Sequence, residues 1–417
     1  MATSLRVKTT NGLIGGHPAP NRTSVAEFLG IKYAAAPIGE LRFAPPKRFA
    51  APPRTFFEAS EWVSVLMRIT NFHHGSTALI RTPYAVTGLR VWKNFAAQND
   101  NTSSEDCLAL NVWTKNPGIS AKKPALVWFH GGRFTIPGPH SPFFDGEYLA
   151  DAEDVIVVTL PTRHLRFPRR SGNAPSRITI FGQSAGGASV DYYSFAWTKD
   201  PTIDNATVFA DYETRAAAGR FARIPLLVGN NDFEAGWYKL SAWAARINLT
   251  EAQWDLYDER AFTCPSAYTA GYRVRYGVPT WRYRYFGDWD NLRLYNGSAG
   301  LGPRGSGAYH GSEIEMVFGT VRDVSGLESS CEEDVTSRYM MAAWAAFARD
   351  PTGGLTTHGW PLYDPTDSSL SLYHVSIGDT LVLLGYQNSP EPSFVAPNTY
   401  DSHCPVKNDP LPGRGAF

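Results

Sequence analysis

Five short apolar runs, each closed by Gly, Pro, Asn or Asp, constrain this chain more than any other feature: "PALVWFHGG" (124–132), "DVIVVTLP" (154–161), "RITIFGQS" (177–184), "IPLLVGNND" (224–232) and "TWRYRYFGDW" (280–289). Near-continuous apolar runs without strict alternation describe strands covered on both faces, as in a parallel sheet. Helical patterns lie between or after some of them. One is "ADYETRAAAGRFA" (210–222); another is "DVTSRYMMAAWAAFARDP", which puts Val335, Tyr339, Met340, Trp344 and Phe347 on one face and ends at Pro351. This alternation predicts an α/β fold with a mostly parallel central sheet flanked by helices. The N-terminal part reads differently, as a β-hairpin around "VKTTNGLIGG" followed by the Pro-rich loop "AAAPIGELRFAPPKRFAAPP". No internal repeat or low-complexity linker divides the 417 residues, so one domain over 1–417 is expected.

Charge and cysteine usage narrow the partners. Lys plus Arg equals Asp plus Glu at 39 each, with no run of like charges, which argues against nucleic acid or an anionic membrane surface and for a small molecule. No window approaches the ~18 uninterrupted apolar residues of a membrane span. The opening "MATSLRVKTTNG" reads without the apolar stretch of a secretory signal. Asn21, Asn101, Asn205, Asn248 and Asn296 each open an N-x-S/T sequon, a pattern that fits a secreted glycoprotein and also arises by chance. The four cysteines, Cys107, Cys264, Cys331 and Cys404, form no C-x-x-C and are not spaced with the histidines as a zinc site; their pairing is open at this level. No metal is expected, and nothing in the sequence sets an oligomeric state.

The stretch "RITIFGQSAGGASVDYY" carries the chemistry. A G-x-S-x-G after a strand and before a helix forces a sharp turn at the serine, exposing its hydroxyl and bringing the next backbone N–H towards a developing oxyanion. Gly182 and Gly186 supply the small flanks around Ser184. A serine hydroxyl is a weak nucleophile near neutral pH, so it needs a histidine to take its proton and a carboxylate to orient that histidine. On such a sheet the chain order is serine, acid, histidine. That order leaves His310, His358, His374 and His403. His358 sits in a turn-like segment, His374 in a strand-like one and His403 near a Pro-rich tail, whereas His310, in "GSGAYHGSEIEMVFG", follows a strand candidate and heads a mixed loop. His310 is the best base. For the acid, Asp232 and Glu234 share the polar loop after "IPLLV", and spacing does not separate them. "FHGGRF" after "PALVW" supplies a Gly-rich loop whose backbone N–H groups can join the one that follows the nucleophile.

With these pieces in order, the sequence resembles the type-B carboxylesterase and lipase family of α/β-hydrolases, the group that includes the cholinesterases. The resemblance is carried by "FLGIKYAAAPIGELRFAPP", "SEDCLALNVW", "VWFHGGRF", "PSRITIFGQSAGGASV", "GNNDFEAG", "GAYHGSEIEMVFG", and "AAWAAFARDPTGG" with "GWPLYDP", from about residue 11 to 390. It implies an α/β-hydrolase fold and a serine esterase that cleaves carboxylic esters through an acyl-enzyme, without metal or organic cofactor. It further implies Ser184 as nucleophile, Glu234 as acid, His310 as base, and the backbone N–H groups of Gly132, Arg133 and Ala185 as oxyanion donors. Where the family commonly has a third glycine this chain has Arg133. Cys264 and Cys404 occupy places that resemble a family disulfide, and Cys107 lacks the upstream cysteine with which the family pairs it. With the sequons, the resemblance implies a secreted protein. Phe134 and Trp237, with Phe143 and Phe144, lie near the motif loops and are candidates for an apolar acyl pocket, core packing being the other role open to them.

The chain is shorter than the family in specific places. Between "DVIVVTLP" and "SRITIFG", near 161–176, stands only "TRHLRFPRRSGNAP", which will not make a helix; near 200–208 a usually long helical run is reduced to "TIDNATVF". Residues 61–100 also match the family poorly. Some covering helices are therefore expected to be missing, with apolar sheet surface exposed in their place. The class alternative is a relative that keeps the motifs without turnover and serves in binding, or a chain that carries them without folding.

Overall fold

The computed structural model describes residues 5–10, 12–42, 44–52, 55–62, 90–91, 104–118, 123–134, 140–161, 177–196, 209, 211–297, 301–365 and 378–405. The segments expected to be shortened lie almost wholly outside these residues, as does His374. The chain forms two compact units. The first comprises Met1–Asn71, Trp92–Val190 and Ile314–Val324, and the second Phe72–Val91, Asp191–Glu313 and Ser325–Phe417.

In the first unit β1 (Arg6–Thr9) and β2 (Gly12–Gly15) form the antiparallel hairpin that "TTNG" predicts, with Arg6 opposite Gly15. Gly12 sits at φ +123°, and a Cβ there would lie 2.3 Å from the Thr55 carbonyl oxygen, so only glycine fits. β3 (His17–Pro18) folds back on β4 (Val25–Lys32), and β5 (Phe56–Glu58) runs parallel to β2. With β6 (Ala109–Lys115), β7 (Ala125–Phe129), β8 (Ile156–Leu160) and β9 (Ile178–Gly182) the larger sheet has the order β3-β4-β6-β8-β7-β9. Its β3 to β6 side is antiparallel, while β8, β7 and β9 are parallel in register, with Val127 between Val158 and Ile180. The sheet is thus mixed, and its parallel part is the part built from the apolar runs.

Aromatic packing closes one side of that parallel part. Trp128 lies 4.9 Å from Phe181, 5.1 Å from Phe318 and 5.8 Å from Phe144, ring centre to ring centre. Buried Glu147 fixes the turn before β4, accepting from the Asn21 and Arg22 backbone N–H groups and from the Asn21 side-chain amide. β9 departs from expectation. As the last strand of its sheet it is only half-buried, and Ile178 is exposed.

In the second unit β10 (Leu226–Asn231), β11 (Thr280–Tyr285) and β12 (Leu381–Leu384) are parallel, and β13 (Ser393–Val395) closes the sheet in the opposite direction. The helix Cys331–Arg349 carries a capping box between Ser330 and Glu333. Met340, Trp344 and Phe347 on it are buried as the pattern predicts, but Val335 is exposed. Glu333, Thr336 and Ser337 take the inward positions of its first turns instead, with Glu333 accepting from the Asn291 side-chain amide at 2.9 Å. The other helix read from the sequence is shorter than its pattern, Tyr212–Ala217, because Gly219 at φ +66° lets the chain turn away. Cys264 and Cys404 form a disulfide with Cα atoms 5.4 Å apart. Beside it the buried Arg282 guanidinium is held by the Asp401 carboxylate and the Tyr363 hydroxyl. Cys107 is buried and Cys331 exposed, and neither is in a disulfide.

Among the described glycines of the first unit the tightest backbone approach is at Gly186, where a Cβ would stand 1.9 Å from the Phe129 carbonyl oxygen. Gly186→Ala is expected to cost roughly 3 kcal/mol by chemical denaturation, since neither backbone can move aside without breaking the parallel register. Gly39→Ala, at φ +54° with nothing within 4 Å, is the control for left-handed strain alone and is expected to cost about 1 kcal/mol.

Candidate active site

Ser184 stands between β9 and the helix Ala185–Ala196, at φ +57°. A left-handed backbone costs a non-glycine residue about 1–2 kcal/mol, and the surrounding glycines hold it there. A Cβ on Gly182 would meet the Phe129 carbonyl at 2.7 Å and the Gly186 carbonyl carbon at 2.6 Å. Both glycines of the pentapeptide are therefore required by contact. The helix begins at once: the Gly186 N–H donates to the Gln183 carbonyl and the Ala188 N–H to the Ser184 carbonyl, each at 2.9 Å.

The loop after β7 closes on this turn. A Cβ on Gly131 would stand 2.9 Å from the Ser184 Cβ, so the loop backbone passes in contact with the serine. Gly132, Arg133 and Phe134 follow with φ of +110°, +54° and +60°, three left-handed residues in a row. Gly132 is buried, while Arg133 and Phe134 are exposed. His130, which sequence reasoning passed over although it stands in "FHGGRF", is buried and donates through Nδ1 to the Gly131 carbonyl at 2.7 Å. Burial lowers its pKa to about 4, so the imidazole stays neutral at neutral pH and acts as a fixed donor.

The second unit holds the other candidates. His310 Nδ1 lies 2.6 Å from Glu234 Oε2, and the Tyr238 and Phe262 rings flank the imidazole at 5.2 and 5.1 Å. Glu234 immediately precedes the helix Ala235–Ala244, is buried, and accepts through its other oxygen from the Asn231 backbone N–H at 2.7 Å. Asp232 points elsewhere: its carboxylate pairs with Arg284 at 3.1 Å. Geometry thus separates the two acids that spacing left together. Trp237 is buried and stacked near Tyr309, in core packing. His358 packs on Tyr339, and exposed His403 lies 3.8 Å from Glu259.

Two further carboxyls surround the pair. Asp258 Oδ1 accepts from the Ala235 N–H at 2.7 Å, and burial together with the Glu234 charge raises its pKa to about 8. Glu313 accepts from Asn231 Nδ2 at 2.6 Å, and the same two causes raise it to about 7. Both tend to hold protons, which keeps negative charge from accumulating around Glu234. Sequence reasoning passed over Asn231, Asp258 and Glu313; the "GNND" and "HGSE" segments were the available signals. Among the described residues no group of three or more His, Cys, Asp and Glu side chains could hold a metal ion.

The sequence pattern described as the carboxylesterase family matches residues 3–163 and 238–383. The chain belongs to the carboxylesterase family. Among similar proteins, secreted lipase 5 of Gibberella zeae is 24% identical over 488 aligned residues, covering 86% of this chain and 88% of that protein. Chlorogenic acid esterase of Aspergillus niger is 25% identical, covering 84% and 83%. Acetylcholinesterase of Gallus gallus is 32% identical over 221 residues, covering 45% of this chain and 27% of that protein. The lipase alignment exceeds the 417 residues of this chain, so that relative carries sequence this carboxylesterase lacks. Among solved structures, PNB esterase superposes with a TM-score of 0.65 at 19% identity, covering 94% of this chain and 97% of that one. The fold is that of the α/β-hydrolases.

The buried carboxyls set a pH dependence of stability. Asp145 and Glu333 are also raised to about 7, chiefly by burial. Between about pH 4.5 and 7 the folded state holds protons on Asp145, Asp258, Glu313 and Glu333 that unfolded carboxyls have released, which makes stability fall as pH rises. His130 acts oppositely between about 4 and 6.5, because the unfolded imidazole binds a proton that the folded one refuses. Four against one leaves the carboxyls dominant, at about 1.4 kcal/mol per pH unit for each net proton. The melting temperature is expected to rise as pH is lowered from about 8 to about 5.5; a steady fall across that window would contradict this account.

Proposed function

We propose that this carboxylesterase is a secreted serine hydrolase that cleaves carboxylic esters through an acyl-enzyme. Family membership supports ester hydrolysis, and the names of two relatives, a secreted lipase and a chlorogenic acid esterase, support small-molecule esters as substrates and an extracellular setting. The observation that carries the serine mechanism is the left-handed Ser184 held by glycine contacts between β9 and its helix, a strained geometry whose chemical use is to expose a nucleophile. The 2.6 Å contact of His310 with Glu234 supports His310 as the base and Glu234 as its orienting acid. Among the described residues no helix is long and apolar enough to cross a membrane.

In this reading Ser184 Oγ attacks the ester carbonyl carbon while His310 Nε2 takes the hydroxyl proton and Glu234 stabilises the imidazolium through Nδ1. The tetrahedral oxyanion is met by the backbone N–H groups of Gly132, Arg133 and Ala185, each worth on the order of 3 kcal/mol of barrier. Collapse of that intermediate breaks the bond to the leaving alcohol, which takes the proton from His310. A water, deprotonated by the same imidazole, then attacks the acyl-serine and releases the acid. Phe134, exposed on the left-handed loop, is the candidate for contact with the apolar acyl part; Trp237 is buried with its ring stacked near that of Tyr309.

Covalent labelling with a fluorophosphonate, read by intact mass, tests the proposal. Stoichiometric label that disappears in Ser184→Ala and forms on the order of 10⁴-fold more slowly in Glu234→Gln is the expected result. A wild-type protein that melts cooperatively and takes no label would overturn it.

A further inference from the structure

We infer that Asn231 is a positioning residue for the Glu234–His310 pair, tying the acid loop to both sides of the histidine through one side-chain amide. The inference rests on the proposed role of His310 as base. Asn231 ends β10 and is almost wholly buried. Its backbone N–H donates to Glu234 Oε1 at 2.7 Å. Its side-chain Nδ2 donates to the Tyr309 carbonyl and to Glu313 Oε2, each at 2.6 Å, with Ser312 Oγ at 3.4 Å. One residue therefore grips the acid directly and grips the histidine loop one residue before and three residues after His310.

The chemistry fixes which way the amide faces. The Tyr309 carbonyl accepts only, so the amide nitrogen must face it, and the same nitrogen then presents its second hydrogen to Glu313 Oε2. Asn231 Oδ1 is left buried without a hydrogen-bond partner. Such an orphan is destabilising, an expense an apolar residue of similar size would avoid. The side chain is thus kept for its two donated bonds and not for stability at large. Neighbouring Asn230 behaves differently, with its amide on the Asn231 carbonyl and the Thr263 hydroxyl. The two adjacent asparagines divide the work: Asn230 braces the strand end, and Asn231 sets the loop register. Other charged groups around the pair are accounted for, since Asp258 is held by the Ala235 N–H and Asp232 by Arg284.

The test uses the full chain with three single variants and one double. Asn231→Ala is expected to lower kcat on a p-nitrophenyl ester by roughly ten- to hundredfold with KM little changed, the size of loss that small misplacement of a reacting group produces. Glu313→Ala should lose activity likewise, Glu313→Gln, which keeps an acceptor, should recover much of that loss, and the Asn231→Ala/Glu313→Ala double should be no worse than the poorer single. Exchange of the His310 Nδ1 proton with water, followed by NMR, reads the same positioning without turnover and is expected to accelerate in Asn231→Ala. A folded Asn231→Ala protein with wild-type kcat and a wild-type exchange rate would overturn the inference. Should Asn231→Ala fail to melt cooperatively, the Glu313 pair decides: equal kcat in Glu313→Ala and Glu313→Gln overturns it, and recovery with glutamine supports it. If fluorophosphonate never labels Ser184 yet the proton exchange responds to Asn231→Ala, the proposed hydrolase falls and the positioning role stands.

Discussion

The first unit depends on how closely two backbones are allowed to meet. The turn that carries Ser184 is pressed against the end of β7, and at Gly186 the room left for a side chain is negative: a Cβ would stand 1.9 Å from the Phe129 carbonyl oxygen. Close packing leaves a folded protein no slack to absorb such an overlap. Glycine is therefore what lets β7 and β9 remain in parallel register while the helix Ala185–Ala196 starts beside the β7 terminus. The same approach brings Gly131 against the Ser184 side chain. His130, buried and neutral at neutral pH, donates to the Gly131 carbonyl beside this contact.

The second unit reaches precision by a different route. Its loops are held by polar contacts inside a buried, carboxyl-rich region, where each charge is costly unless matched. Glu234 is matched by His310 and by the Asn231 N–H; Glu313 and Asp258 are moderated by taking up protons more readily than exposed carboxyls do. The arrangement concentrates the negative charge on the one carboxylate that touches the imidazole. Further out, Arg284 and Arg282 neutralise Asp232 and Asp401. The sheet below is parallel, so the loops after β10 and β11 emerge at the same end, as open α/β sheets place their functional loops.

Much of this was legible in the sequence because local chemistry dictated it. The five apolar runs became β7 to β11 with few shifts in boundary, and the pentapeptide around Ser184 turned sharply because its glycines had to be small. What could not be read was decided by partners distant in sequence. Spacing could not separate Asp232 from Glu234, since the distinction is made by Arg284 on β11 and by His310, 76 residues further on. Val335 fitted the apolar stripe of its helix but is exposed, because the capping-box Glu333 turns inward to meet Asn291 and rotates the buried face of the first turns. Pocket lining and core packing were both open to Trp237 in the sequence, and its burial beside the Tyr309 ring could be seen only in the fold. Asn231 stood in the "GNND" segment, but its part was not legible there, because a side chain that joins two loops leaves its mark only when both loops are in view.

Arg133 brings these strands of argument together. It occupies a place where the family commonly has glycine, yet its φ of +54° and that of Phe134 at +60° show the backbone keeping a conformation that glycine adopts without strain. Two successive left-handed non-glycine residues cost about 1–2 kcal/mol each. Had the loop no use for that shape, it could relax to an extended path and recover the energy. A function carried by backbone N–H groups is indifferent to the side chain attached, so long as the backbone holds its curve. The proposed oxyanion role is of this kind, which is why an exposed arginine can stand there: the curve of the backbone, not the side chain, presents the N–H, and that curve follows directly on Gly131, which packs against the Ser184 side chain.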